Sequence, residues 1–371
     1  MTRRPSRRAT AGQWLLLLAV VAVAWALLRS ASHNLAQRNM SLGFGFLGDQ
    51  AGFDIPFHLV SWTTFDTYGR ALLVCSLNAL LVSVMGVVAS TALGLLIGIM
   101  RLSANWLVRN TAVGFIELIR NTPQLVQIVF WYAAVLQALP SARQSLAMPG
   151  GILLNVRGLY LPRMITGAHG PFLPWLAMLV LGGTPFAWRL RIRGARIGVR
   201  ALFLPLLAAG LFLADVDRIE WPALKGFNIA GGIGLPPELV ALWAGLSIYS
   251  AAFIAEIVRS SIQAVPRGQQ EAALSLGLKP HQRLLLIVLP QALRLMVPPL
   301  TSQYLNLIKN SSLGAAIAYP EIFEIFAGTV LNQSGREIET ITIVMAIFLV
   351  INLLISALMK WYNRRVTMVG R

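Results

Sequence analysis

The sequence is poor in charge. Only 12% of its 371 residues are Asp, Glu, Lys or Arg, about half the ~25% of ordinary soluble domains. So few charges cannot form a water-facing surface over a chain that is 56% hydrophobic. Acids are scarcest, at 14 against 31 bases, for a net charge of +17. Disorder is excluded as well, because disordered segments are poor in apolar residues. The one cysteine, Cys75, rules out an intrachain disulfide. Four histidines (His33, His58, His169 and His281) are scattered with no HExxH pair, and no G-x-S-x-G occurs, so hydrolase chemistry has no constellation to rest on. None of the four lysines (Lys225, Lys279, Lys309 and Lys360) follows a glycine. A phosphate-cradling Gly-Lys loop is therefore missing, and the chain is not itself an ATPase.

What the chain does have is long apolar runs. A bilayer-spanning helix needs about 20 mostly apolar residues, and eight stretches qualify as candidates. Trp14 to Leu28, Ala71 to Met100, Asn121 to Ala142, Pro171 to Trp188 and Ile341 to Met359 carry no charge. Ala201 to Ala214 is short and contains a proline; Leu239 to Val258 contains only Glu256. Leu284 to Ile308 contains Arg294 and Pro298-Pro299, which predicts a break or kink there. The fold expected is all-α: a polytopic membrane protein of about eight transmembrane helices.

With the N-terminal arginines placed in the cytoplasm, 21 of the 31 bases fall on the inner side and 11 of the 14 acids on the outer. This is the positive-inside pattern, with both termini cytoplasmic. The basic excess is thus an orientation signal, and no basic-aromatic groove remains to argue for nucleic acid. The N-terminus also has the elements of a cleaved signal peptide, with small residues near Ser30 to Ser32; the orientation of the other spans is the same either way.

Four regions follow: 1–68, a first span and an outer loop; 69–140, the first part of a core; 141–237, a Pro- and Gly-rich central block with two modest spans; and 238–371, the second part of the core. Gly86, Ser90, Gly94 and Gly98 recur every four residues, as do Ser247, Ala251 and Ala255. Such stripes let helices approach closely, within one chain or between subunits.

The most informative stretch is the inner loop 263–290. Pro266 suits the start of a helix and Gly277 the left-handed position just past its end. Glu271 lies between them, with Ala272, Ala273, Leu274 and Leu276 giving an apolar side. Lys279-Pro280 then opens a second helix, expected to run to Leu289-Pro290. A short amphipathic helix facing away from the membrane is a surface for a protein partner.

At these residues the chain resembles a known family. Gly268-Gln-Gln-Glu271-Ala272-Ala273, Gly277, and Leu289-Pro290 are similar to the "EAA" loop of permease subunits in ATP-binding-cassette importers, and within them to the polar amino-acid uptake branch. Ile116-Glu-Leu-Ile-Arg-Asn-Thr-Pro123, Leu125-Val-Gln127, Phe130-Trp-Tyr132 and Tyr304-Leu-Asn-Leu-Ile-Lys-Asn-Ser-Ser-Leu313 resemble further motifs of that branch, in order. The block 141–237 and the long outer loop resemble the larger general L-amino-acid or glutamate/glutamine/aspartate/asparagine permeases. The resemblance implies an importer subunit whose 263–280 loop couples to a separate cytoplasmic ATPase. It also implies a second, homologous permease subunit and a periplasmic amino-acid-binding protein, in a bacterial inner membrane. ATP would be bound by the ATPase, with no cofactor on this chain.

Other candidates are weighed on position. Glu117 with Arg120, and Glu256 with Arg259, sit three apart at inner helix ends, where each can form a local ion pair. Lys309, Asn310, Ser311 and Ser312 close a span beside the proline pair and are read either as pathway or gate groups or as caps of the helix end. The rival function is an ion-coupled secondary amino-acid transporter. That class usually carries acids within its spans, whereas five spans here hold no charge.

Overall fold

The computed structural model describes residues 13–23, 25–26, 29–30, 43–166 and 216–367. Most of these are helical. Helix α1 (Gln13–Val23) is short and apolar. Helices α2 (Tyr68–Arg101) and α3 (Trp106–Arg120) are followed by α4 (Gln124–Leu136), which widens to π-helix from Phe130. After the central block come α5 (Pro237–Gln263), α6 (Arg267–Ser275) and α7 (Pro280–Ile317). A wide π-helical stretch, Phe323–Val330, and Leu331–Ser334 form α8; α9 (Glu337–Thr367) completes the chain.

Among the described residues four helices are long and apolar enough to cross a membrane: α2, α5, α7 and α9. The candidate spans Pro171 to Trp188 and Ala201 to Ala214 lie outside the described residues. The all-α expectation is corrected in the central block. Its flanks form a four-stranded antiparallel sheet, in the order Leu146–Met148 (β1), Ile152–Asn155 (β2), Gly158–Leu161 (β3) and Ile233–Leu235 (β8). Two further strand pairs, Arg163–Thr166 (β4) with Val216–Glu220 (β5) and Ala223–Lys225 (β6) with Asn228–Ala230 (β7), lie beside it. Closely spaced glycines and prolines cut the described flanks, 141–166 and 216–237, into runs too short for helices, and tight turns join neighbouring strands into hairpins.

Of the break or kink expected at Pro298-Pro299, the break is corrected: the helix Leu289–Asn310 runs through both prolines. In hydrocarbon a broken helix would leave still more backbone groups without partners, so the helix persists. The second loop helix likewise does not stop at Pro290. A π-helical stretch, Leu284–Val288, precedes it, and this wider turn admits a proline ring where an α-helical turn would clash.

The bundle is organised by α2 and α5, which run parallel. Trp243 Nε1 donates to the Met85 carbonyl at 3.1 Å. The striped faces meet so closely that a Cβ built on Gly94 would lie 2.5 Å from Ile254 and 3.0 Å from the Ala251 carbonyl oxygen. One built on Gly98 would lie 2.9 Å from the Ala255 carbonyl oxygen. Both stripes are thus used inside the chain. Helix α7 runs antiparallel to α2, with Leu307 against Gly86 and the Tyr304 hydroxyl 2.9 Å from that of Thr91.

At the Tyr68 end of the bundle, α7 tightens into a 3₁₀ turn, Ser311–Ile317, and reverses at Ala318 in left-handed backbone. Asn78, fully buried about 15 Å along α2 from its start, donates to the carbonyls of Phe57 and Pro320, each at 2.8 Å. Tyr319 donates back to the Asn78 carbonyl. Loop 43–67, α2 and the reversal after α7 are thereby stapled together. Asn78→Ala leaves the buried Pro320 carbonyl and the part-buried Phe57 carbonyl without this donor, at about 1–3 kcal/mol for the buried one. A clear drop in the thermal midpoint of the purified protein is the expected result; an unchanged midpoint would show that the staple contributes nothing.

Candidate functional site

Helix α6 follows Pro266 and ends in a paired backbone cap. Gly277 N–H donates to the Leu274 carbonyl at 2.8 Å and Leu278 N–H to that of Ala273 at 3.1 Å. Gly277 has φ +70°, the left-handed geometry this cap requires and glycine adopts without a Cβ penalty. Beyond it the Lys279 amide is taken by Gln282 Oε1 at 2.9 Å, so α7 begins where α6 has just been closed. Ala273 is buried, while Glu271, Ala272 and Gly268 are exposed. Leu274 and Leu276 are 53% and 79% exposed. A Cβ on Gly268 or Gly277 would meet nothing within 4 Å. The helix therefore presents two leucines, a carboxylate and an open glycine to its surroundings. It is held from behind: Val265 at its start is buried in a cluster with Ile254, Val258, Val288, Ala292 and Met296. Pro290 is exposed and Leu289 half-buried as α7 leaves the loop.

Beside this loop Glu256 pairs with Arg259 and also with Arg101 at the end of α2. Arg259 reaches Gln263 in the last turn of α5 as well. The carboxylate therefore ties α2 to the turn from which α6 departs. The expected Glu117–Arg120 pair is corrected: no ion pair joins them, and the Arg120 guanidinium lies over the Phe253 ring, 5.0 Å from its centroid. A part-buried aromatic face from α5 competes successfully with an exposed carboxylate.

The Lys309–Ser312 segment divides. Asn310 Nδ2 donates to Gln124 Oε1 at 2.6 Å, joining α7 to the first turn of α4. Ser311 is buried and bonds back to the Ile308 carbonyl, and Ser312 to that of Lys309; Lys309 is exposed. Gln124 Nε2, Gln127 Oε1 and Ser247 Oγ are buried without a hydrogen bond. Sequence reasoning gave no role to Gln124, Asn78 or Arg101, and quoted Gln127 only as part of a motif. Asn78 carries a readable signal, as an amide within a charge-free apolar run. Glu321 was missed too; it is buried, and its two oxygens accept the amides of Phe323 and Glu324 at 2.9 and 2.8 Å, which caps α8.

Residues 199–368 match the family described as "Binding-protein-dependent transport system inner membrane component". The putative amino-acid ABC transporter permease protein YhdX of Escherichia coli (strain K12) is 47% identical, over 99% of this chain and 96% of that protein. The general L-amino acid transport system permease protein AapQ of Rhizobium johnstonii is 41% identical, over 99% and 94%. The glutamate/glutamine/aspartate/asparagine transport system permease protein BztB of Rhodobacter capsulatus is 36% identical, over 96% and 92%. Among solved structures, the crystal structure of an amino acid ABC transporter with histidines shares the fold, with a TM-score of 0.51 and 21% identity, covering 80% of this chain and 95% of that one. With identity of this extent along nearly its whole length, the chain belongs to the family of amino-acid ABC transporter permeases.

Proposed function

We propose that the chain is the membrane-spanning subunit of an ATP-driven importer that moves polar L-amino acids into the cytoplasm. The observation that carries this reading is α6: a short helix, closed at Gly277, that exposes Leu274, Leu276 and Glu271 and is backed by the bundle. Such a helix fits a groove on a separate cytoplasmic ATPase, which would bind and hydrolyse the ATP. Closure of the ATPase would push on α6. Through Val265, Glu256 and Arg101 the push would reach α5 and α2, shifting the population between outward- and inward-facing states.

In this reading the Arg101 end of the bundle and both termini are cytoplasmic, a second homologous permease subunit completes the pathway, and a periplasmic binding protein delivers the amino acid. Gln124 Nε2 and Gln127 Oε1, each the unbonded half of its amide, with Asn310 beside them, are the polar groups we assign to the pathway. Glu321 does not favour ion coupling, because both its oxygens are engaged by backbone amides. ATP-dependent uptake of labelled amino acids into proteoliposomes holding the permease, ATPase and binding protein tests the reading. Uptake driven by an ion gradient without ATP would overturn it.

A further inference from the structure

The central block meets the bundle across a groove that the import mechanism does not use. One face of the four-stranded sheet is apolar throughout: Met148 is paired with Ile152, and Leu154 with both Leu146 and Leu159. It faces α4 and the first two turns of α5, and between them lies a cavity of about 360 Å³, within the ~300–1,000 Å³ of small-molecule sites. Trp131, Val135, Met148, Leu154, Leu159 and Ala244 contribute to its walls, with no charged side chain among the lining residues.

The level of this groove follows from the chain connections. Strand β8 ends at Leu235 and α5 begins at Pro237. At the turn between the central strands β2 and β3 the Val156 amide donates to the Pro140 carbonyl, just past the end of α4. Val240 and Ala244 lie only about 5 and 10 Å along α5 from its first residue. The groove therefore occupies the first turns of a spanning helix, where hydrocarbon begins, and the sheet stands at the boundary above it.

Cations gather at that boundary. Arg157 reaches Asn228, the Arg143 guanidinium stacks 4.0 Å from the Phe227 ring centroid, and Lys225 pairs with Asn228 across the same hairpin. All three are exposed, and Phe227 is 73% exposed beside them. Among the described side chains of the block, Glu220 is the one acid. An apolar slot below a rim of cations and an exposed aromatic ring matches the two halves of an anionic lipid. A soluble protein partner would have no use for the slot.

We propose that this groove binds an acyl chain of an anionic phospholipid, with its phosphate drawn to Arg143, Arg157 and Lys225. The leaflet, the outer one, rests on the orientation given above; the site itself does not.

The full-length protein in phosphatidylethanolamine nanodiscs would be exposed to phosphatidylglycerol bearing a photoreactive group in one acyl chain, with the matching phosphatidylcholine as comparison. Labelled positions would be mapped by mass spectrometry. Labelling is expected at Val135, Met148, Leu154 and Ala244, above that on the exposed α9 positions Met345, Leu349 and Leu353. Ala244→Trp, which fills the slot, should cut groove labelling about tenfold and leave α9 labelling unchanged. The surface variant Arg143→Ala/Arg157→Ala/Lys225→Ala keeps the slot and should abolish the preference for phosphatidylglycerol over phosphatidylcholine. Should Ala244→Trp fail to fold, this second variant decides alone.

Groove labelling no higher than that on α9, or a lipid preference indifferent to the triple variant, would overturn the proposal. So would disulfide capture of Ala244→Cys by a cysteine placed within residues 171–188, since the chain would then cover its own groove, or protection of the groove by a soluble binding protein. Saturating the site only when the labelled lipid is confined to the cytoplasmic leaflet would refute the orientation and leave the site standing.

Discussion

Gly94→Leu is expected to remove most of the folded, transport-competent protein, and Gly98→Val to do nearly as much. At both positions the obstruction includes a carbonyl oxygen of α5, Ala251 for Gly94 and Ala255 for Gly98. Backbone cannot rotate out of the way, so the two helices must separate along the length of their contact. Overpacking of this kind costs about 1–3 kcal/mol even for small insertions. In lipid the loss is felt directly, because close van der Waals packing is the main force joining helices there. Gly114→Ala in α3 is the control. Nothing lies within 4 Å of a Cβ at Gly114, so the change should be neutral or stabilising by up to about 1 kcal/mol. Membrane yield, thermal midpoint and uptake of the three variants would be compared. Equal behaviour of Gly94→Leu and Gly114→Ala would remove the close contact from the account of the fold.

Coupling should fail selectively when the end of α6 is altered. Gly277→Val forces a β-branched side chain into left-handed backbone, beyond the ~1–2 kcal/mol that such geometry costs an ordinary residue. The two cap bonds at Leu274 and Ala273 should open and the last turn of α6 unravel. We expect ATPase co-purification and ATP-driven uptake to fall at least about tenfold, equivalent to ~1.4 kcal/mol of docking free energy, while membrane yield stays unchanged. Gly277→Asn is the discriminating companion, since asparagine tolerates this conformation, and it should retain most activity. Leu276→Asp and Glu271→Lys change exposed side chains of α6 while leaving Gly277 in place, and should lower co-purification in the same way. If all four variants transport like the parent, α6 is not the docking element. If Gly277→Asn fails as badly as Gly277→Val, open space at that position matters more than backbone shape.

What could be read beforehand was what local chemistry determines. The left-handed turn at Gly277, the helix start after Pro266 and the four-residue stripe of α2 each follow from residues within a few positions of one another. Gly94 and Gly98 announce a close neighbour; only the structure identifies it as Ala251 and Ala255, more than 150 positions away. Arg120 was assigned the carboxylate one turn away, but Phe253 of α5 took it. The Asn78 staple depends on two carbonyls, and carbonyls have no sequence signature. No full break follows Pro298-Pro299, because the rule that proline stops a helix was formed where water can receive a broken backbone. The strands were missed because short runs such as Ile152–Asn155 and Ile233–Leu235 carry too little periodicity to separate from loop.

The parallel contact between α2 and α5 also sets a schedule for synthesis. Helix α2 is finished at Arg101, yet α5 begins only at Pro237. At ~5–20 residues per second, α2 waits on the order of ten seconds for its partner to leave the ribosome. Throughout that interval the Gly86–Gly98 face is open to lipid or to any other small-residue stripe in the membrane. Insertion and pairing must therefore be separate events in time, and the nascent chain is most vulnerable to mispairing while its central block is still being made.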